Sequence, residues 1–247
     1  MMKVKCILNK TDNSTTSKGS DKDQPFGKIK GPIFIGRSWA EYMKMFNLKV
    51  EELNIGSVLD CAAGASSFTA HMRNKGCDVT AVDILYNEDA DSLCYKCREH
   101  LEALVEGLKS FDHFVWSYFQ DLEDLQEERS RACSEFIEDY RYQKGERYIA
   151  ADLTNLPFED GKFSMVLCSH LLFIYDHRLD YEFHLKAIRE MLRVSSKELR
   201  IYPLVRNRGE KSPFVNRILK DLKEDIEILK VDYEFRQGGN EMIKIKK

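Results

Sequence analysis

Six small residues in a row, Ala62 to Ser67, follow an apolar run that ends in Asp60, and a helical pattern starts directly behind them. A backbone that turns sharply from strand to helix and lets a ligand approach its main chain needs side chains of this size. The stretch "VLDCAAGASSF" therefore reads as the first strand, loop and helix of an α/β sheet. The flanking chain keeps that rhythm. "SSFTAHMRNKG" reads as a helix stopped by Gly76, "CDVTAVD" as a strand, and "FEDGKFSMVLCSH" as an Asp-Gly turn feeding an apolar strand. "LDYEFHLKAIREMLRV" repeats apolar residues at helical spacing and "KELRIYPLV" is a strand. "SPFVNRILKDLKED" is a helix with Ser212 as N-cap and Pro213 in its first turn. The extended runs "IEILKVDYEF" and "EMIKIKK" flank "RQGGN", which suits a closing hairpin. The pattern predicts a doubly wound, mostly parallel Rossmann-like sheet with a terminal antiparallel hairpin.

One segment breaks the alternation. About 60 residues separate "AVDILYN" from "RYIAAD", far more than a helical crossover needs. They are expected to form a helical insertion over roughly 88–145, with helices in "DADSLCYKCREHLEALVEGLKS" and "FDHFVWSYFQDLEDLQEERSRACSEFIEDYRY". Upstream, Ser38 caps a helix in "SWAEYMKMFNL" that sets Trp39, Tyr42, Met43 and Phe46 on one face. Residues 1–30 are polar and turn-rich, which reads as a flexible tail ahead of one domain over 31–247.

The cofactor follows from what the loop lacks. Binding a dinucleotide pyrophosphate calls for G-x-G-x-x-G, and only Gly64 stands here. Asp60 at the strand end would also repel a pyrophosphate, whereas it suits a ligand carrying an amino group and a sulfonium centre. Asp83 ends the second strand about twenty residues later, where a carboxylate can accept from two ribose hydroxyls. Ile84 and Leu85 behind it can flank an adenine ring. The plainer reading of Asp83 is a cap on a following helix.

With these residues the chain resembles the class I S-adenosylmethionine-dependent methyltransferases. "VLDCAAGASSF" is similar to that family's first motif, with Asp60 at the acid and Ala62, Gly64 and Ser66 at the glycine positions. The two replacements suit close backbone approach if φ is negative. "VTAVD" is similar to the second motif, with Asp83 as the ribose-binding acid. "YIAADLTNLPFEDGKFSMVLCSHLLFIY" is similar to the third and fourth. The resemblance implies S-adenosylmethionine as cofactor, Asp152 meeting the adenine amino group with Leu153 beside it, and Ser169 and His170 lining the methyl-transfer face. It covers roughly residues 35–247 apart from the insertion.

The remaining candidates carry alternatives. His170 is either a general base for a hydroxyl, amine or thiol, or a hydrogen-bonded structural histidine. Tyr175, His177 and His184 read as structural. Arg37 either pairs with the cofactor's carboxylate or is a solvated charge. Cys94, Cys97 and His100, with Cys133 far along the chain, lack a paired second half, so helix packing is favoured and no metal is expected. The aromatics Phe111, Phe114, Trp116, Tyr118 and Phe119 are either core between insertion helices or a pocket wall.

Composition bounds the rest. The 247-residue chain is 43% hydrophobic and carries a net charge of −3, so no global positive field favours nucleic acid. Within 121–143 eight acids stand against three arginines, which opposes polynucleotide binding. Seven scattered cysteines, no secretory leader pattern and no apolar run of membrane-spanning length suggest a cytoplasmic protein with reduced thiols. The expected acceptor is a small molecule, neither nucleic acid nor membrane, and the oligomeric state is left open. A non-catalytic binding protein for the same cofactor or a partner is the first alternative. A nicotinamide-dependent oxidoreductase is the second.

Overall fold

The computed structural model describes residue 29 and residues 31–109, 113–206 and 208–247. The expected tail, Ile29 aside, and Phe111 lie outside them. Seven strands run β1 (Val58–Cys61), β2 (Val79–Asp83), β3 (Tyr148–Ala150), β4 (Phe163–Ser169), β5 (Ser195–Tyr202), β6 (Asp225–Lys230) and β7 (Glu241–Lys246). They form one sheet in the order β3-β2-β1-β4-β5-β7-β6. β1 to β5 run parallel to one another, and β7 lies antiparallel to both β5 and β6. The two last strands pair as expected, but through a ten-residue link (231–240) rather than a tight turn at "RQGGN".

Burial on both faces explains why β1 and β4 read as continuous apolar runs. Leu59, Cys61, Val166 and Cys168 meet α6 (Tyr181–Val194) and α7 (Pro213–Asp221) on one face. Val58, Met165 and Leu167 point the other way, to α1 (Trp39–Met45) and α3 (Phe68–Asn74). A short α2 (Val50–Leu53) leads into β1. Ser38 begins α1 with a full capping box: its Oγ accepts from Glu41 N–H, and its own N–H donates to Glu41 Oε2 at 2.8 Å.

Between β2 and β3 stand α4 (Ala90–Leu108) and α5 (Leu122–Gln143). The second helix is shorter than the sequence suggested. Asp121 caps it, accepting from Asp124 N–H at 2.9 Å, so the aromatic stretch before it is not helical. Instead Phe114 forms an antiparallel bridge to Arg236 in the β6–β7 link, and Val115 N–H donates to Phe235 O at 2.7 Å. Phe114, Trp116 and Phe119 all contact the Phe235 ring. That extended pairing supplies backbone partners a helix would otherwise provide. Among the described residues no helix is long and apolar enough to cross a membrane.

Candidate active site

The order of the sheet reverses between β1 and β4, and such a switch point leaves a crevice at the strands' carboxyl ends. A cavity of about 410 Å³ lies there, within the range that encloses a nucleoside-sized ligand. Four parallel strands line it with residues at or just past their carboxyl ends: Ala62 and Gly64 after β1, Asp83 and Ile84 at β2, Asp152 and Leu153 after β3, Ser169 and His170 at β4. Arg37 also lines it. Nine of the eleven residues singled out in the sequence thus meet at one cavity.

The other two do not reach it. Asp60 is fully buried, with Tyr42 OH donating to its Oδ1 at 3.2 Å and no partner for Oδ2 among the described residues. Burial pushes its carboxyl well above the usual carboxylate range; the Tyr42 bond opposes this and the Asp83 charge adds to it. Ser66 is buried too, its Oγ accepting from Phe68 N–H at 3.1 Å to help start α3. Their roles lie under the loop, where strand and helix must be tied together.

The loop corrects a second expectation. Ala62 has φ +53° and Gly64 φ +57°, so Ala62 occupies the left-handed region rather than the negative φ its side chain prefers. Asp83 holds this shape: its Oδ2 accepts from Gly64 N–H at 3.0 Å and its Oδ1 from Leu85 N–H at 2.9 Å. It is therefore the cap of a 3-10 turn (Ile84–Asn87) as well as a cavity residue. A carboxylate has about four acceptor positions, so two remain for a ligand. Burial raises its pKa against the pull of those two N–H groups and Lys96. Ile84 is 65% exposed at the cavity. Asp152 is exposed and takes Thr154 N–H on Oδ1 at 2.7 Å, while Leu153 beside it is buried.

At β4, His170 also has a left-handed backbone, φ +53°. Its N–H donates to Tyr202 O at 2.8 Å and its Nδ1 lies 2.8 Å from Ser169 Oγ. Burial, then the charges of Arg37, Arg129 and Arg236, hold its pKa well below the ordinary imidazole value. These influences favour the neutral ring, which can accept a hydrogen bond.

From the sequence, neither the segment before Arg37 nor α4 is assigned to the cavity. A strap, 31–38, crosses the loop region: Ile33 N–H donates to Tyr175 OH at 2.9 Å, Phe34 N–H to His100 Nδ1 at 2.8 Å, and Ser67 N–H to Arg37 O at 2.9 Å. Lys96 and His100 bring α4 to the cavity wall. Cys97 and Cys133 are buried in one hydrophobic cluster, and the described residues contain no cluster of His, Cys, Asp or Glu fit to hold a metal. His177, expected to be structural, lines a second, narrower cavity that shares His170 and Arg37 with the first.

A mostly parallel sheet of this order with a cavity at its switch point defines a doubly wound α/β protein. A family model described as a methyltransferase domain matches residues 124–198. An uncharacterized protein of Methanocaldococcus jannaschii is 38% identical over 221 residues, 89% of this chain and 98% of that one. Among solved structures, magnesium protoporphyrin IX methyltransferase from Synechocystis PCC 6803 with bound SAM is similar at 14% identity and TM-score 0.44, over 84% of this chain and 80% of that one. A SAM-dependent methyltransferase from Aquifex aeolicus is similar at 15% and 0.38, over 83% and 91%. The chain belongs to one family with the archaeal protein, and its residues 124–198 match a methyltransferase domain.

Proposed function

We propose that the chain binds S-adenosylmethionine in the 410 Å³ cavity and transfers its methyl group to a small-molecule acceptor. The observation that carries this reading is Asp83. Its carboxylate faces the cavity at the end of β2 with two acceptor positions left after it has fixed the Gly64 loop. The fit extends to the loop itself, since the space at Gly64 is open apart from Phe34 carbons near 3.8 Å.

In this reading Asp83 holds the ribose hydroxyls, Ile84 and Leu85 flank the adenine, Asp152 meets its amino group with Leu153 beside it, and Arg37 pairs with the carboxylate. When bound, the cofactor supplies an already activated methyl group on a sulfonium. The protein's part is alignment and exclusion of water. The strap and α4 serve exclusion, being tied to each other through Phe34 and His100. Ser169 and His170 lie at the transfer face. His170, neutral and pinned by Ser169, is placed to accept a proton from a nucleophile, its weakened basicity being restored by any anion bound nearby. We read the insertion as a cover of the same domain, 31–247.

Calorimetric titration with S-adenosylmethionine and a labelled-methyl acceptor screen test the reading together. Asp83→Asn keeps one oxygen for the loop and is expected to weaken cofactor binding at least tenfold, about 1.4 kcal/mol. His170→Asn tolerates the left-handed backbone and is expected to lower the transfer rate at least tenfold with affinity nearly unchanged. Wild-type affinity in Asp83→Asn would sink the cofactor assignment. Tight binding with no transfer to any acceptor would leave the non-catalytic alternative standing.

A further inference from the structure

One stripe of α4 faces the crevice. Lys96, His100 and Leu104 stand four residues apart and so share a helix face. Lys96 and His100 line the larger cavity, and Leu104 the narrower one. The adjoining stripe, Leu93, Cys97, Leu101 and Leu108, is buried, which fixes the rotation of the helix. Lys96 also ties α4 to the end of β2. Its Nζ meets Glu88 Oε1 at 2.6 Å, and Glu88 closes the 3-10 turn that Asp83 starts. His100 follows one turn along the same face.

The two ring nitrogens of half-buried His100 are differently engaged. Nδ1 accepts from Phe34 N–H at 2.8 Å. A nitrogen that accepts from a backbone N–H carries no proton, so the proton of the neutral ring sits on Nε2. Burial lowers the ring's pKa, with the Glu99 charge opposing and Lys96 adding, which favours that neutral form. Nε2–H is bonded to none of the described residues, yet it is not sealed in the interior as an orphaned buried atom. The strap has thus fixed the tautomer of a ring on the cavity wall and left its donor unused.

We propose that His100 is a cofactor-binding residue, its Nε2–H donating to a ribose hydroxyl of S-adenosylmethionine while its Nδ1 holds the strap through Phe34. This rests on the methyltransferase reading and adds to it a residue of the insertion. A hydroxyl both donates and accepts, whereas the Asp83 carboxylate only accepts. Ribose hydroxyls that give their protons to Asp83 therefore still call for a donor. The neighbouring donors are engaged: Gly64 N–H and Leu85 N–H by Asp83 itself, and Lys96 by Glu88. His100 keeps one for the ligand. A single side chain then holds both the cofactor and the segment that covers it.

The full chain is titrated with S-adenosylhomocysteine, which carries the same ribose and has no methyl group to transfer. Glutamine at this position reaches the place of Nε2 with an amide donor, whereas asparagine reaches only that of Nδ1. His100→Asn is expected to weaken the probe about fivefold or more and His100→Gln to stay within about twofold of the wild type. The reverse order, or wild-type affinity in both, overturns the proposal and leaves His100 a latch for the strap. In the wild type, which needs no variant to fold, spectra of isotope-labelled histidine should show Nε2 protonated. Its N–H signal should shift, and its exchange with solvent slow, as the probe saturates. A bound probe that leaves this signal unmoved overturns the proposal alone, whatever the variants do. A wild type that binds no S-adenosylhomocysteine overturns the methyltransferase reading with it.

Discussion

Asp60 is fully buried and does not line the cavity. It pairs in register with Ala81 and Leu167 at the centre of the sheet, and only one of its oxygens is bonded among the described residues. Because its pKa is raised on folding, its contribution to stability is fully present below the unfolded carboxylate value and is lost as pH rises through the folded one. Asp60→Asn mimics the neutral acid at every pH. The variant should therefore match the wild type in acid and gain relative to it toward neutral pH, by on the order of 1 kcal/mol, the scale of an unsatisfied buried polar group. Thermal melts from pH 4 to 8 measure this, and a difference that does not change with pH would refute it. His170 is a different case. A bulky residue at positive φ costs about 1–3 kcal/mol, and such strain persists where surrounding contacts fix it. Here Ser169 and Tyr202 do so.

At the scale of elements, the strap and α5 are in backbone contact. A Cβ on Gly36 would lie 2.6 Å from Cys133 N and 2.7 Å from Arg129 O. Both atoms belong to helix backbone, so neither can swing aside as a side-chain tip would. Gly36→Ala must move the strap off α5, which is expected to destabilise the fold by about 1–3 kcal/mol and to weaken cofactor binding. Urea denaturation read beside calorimetry checks both. Unchanged stability would mean that the two elements can separate freely. The Glu41–Arg129 pair ties the same elements: Arg129 is 2% exposed and Glu41 fully buried. Burial, the largest single influence, would raise the Glu41 pKa, yet the Arg129 charge, the hydrogen bonds from Arg129 and Tyr233 and the Arg37 charge together outweigh it, and the net shift is downward. Removing one partner of such a pair is far more damaging than replacing both.

For the whole molecule, what the sequence made legible was whatever repeats locally. β1, β2 and β4 are sandwiched between helices, so their runs are largely apolar, and Ser38 and Ser212 announce helix starts because capping needs a short polar side chain. Residues just after each strand met at the cavity because parallel strands bring their carboxyl ends together. The narrower cavity was invisible by the same logic. Arg236 follows β6, Arg129 sits on an acidic helix, and only the completed fold makes them neighbours. Nor could periodicity reveal that Phe114 pairs with Arg236 across 122 positions, since a single bridge has no period.

The strap's fastenings set an order of events. Its N–H groups at Ile33, Phe34 and Trp39 are received by Tyr175, His100 and Ser67, at sequence separations of 142, 66 and 28. Each receiver belongs to a different part of the chain, and closing such long loops is slow until the parts themselves exist. Ribosomal synthesis delivers the strap early, yet it has nowhere to dock until α4 and the turn after β4 are in place. In stopped-flow refolding, far-UV ellipticity should recover first. The ability to capture S-adenosylmethionine should lag behind it in a separate, slower phase, and simultaneous recovery would show that the strap docks with the sheet. The protein would then pass through a folded but ligand-blind interval, during which its sheet is complete and its crevice still open to water.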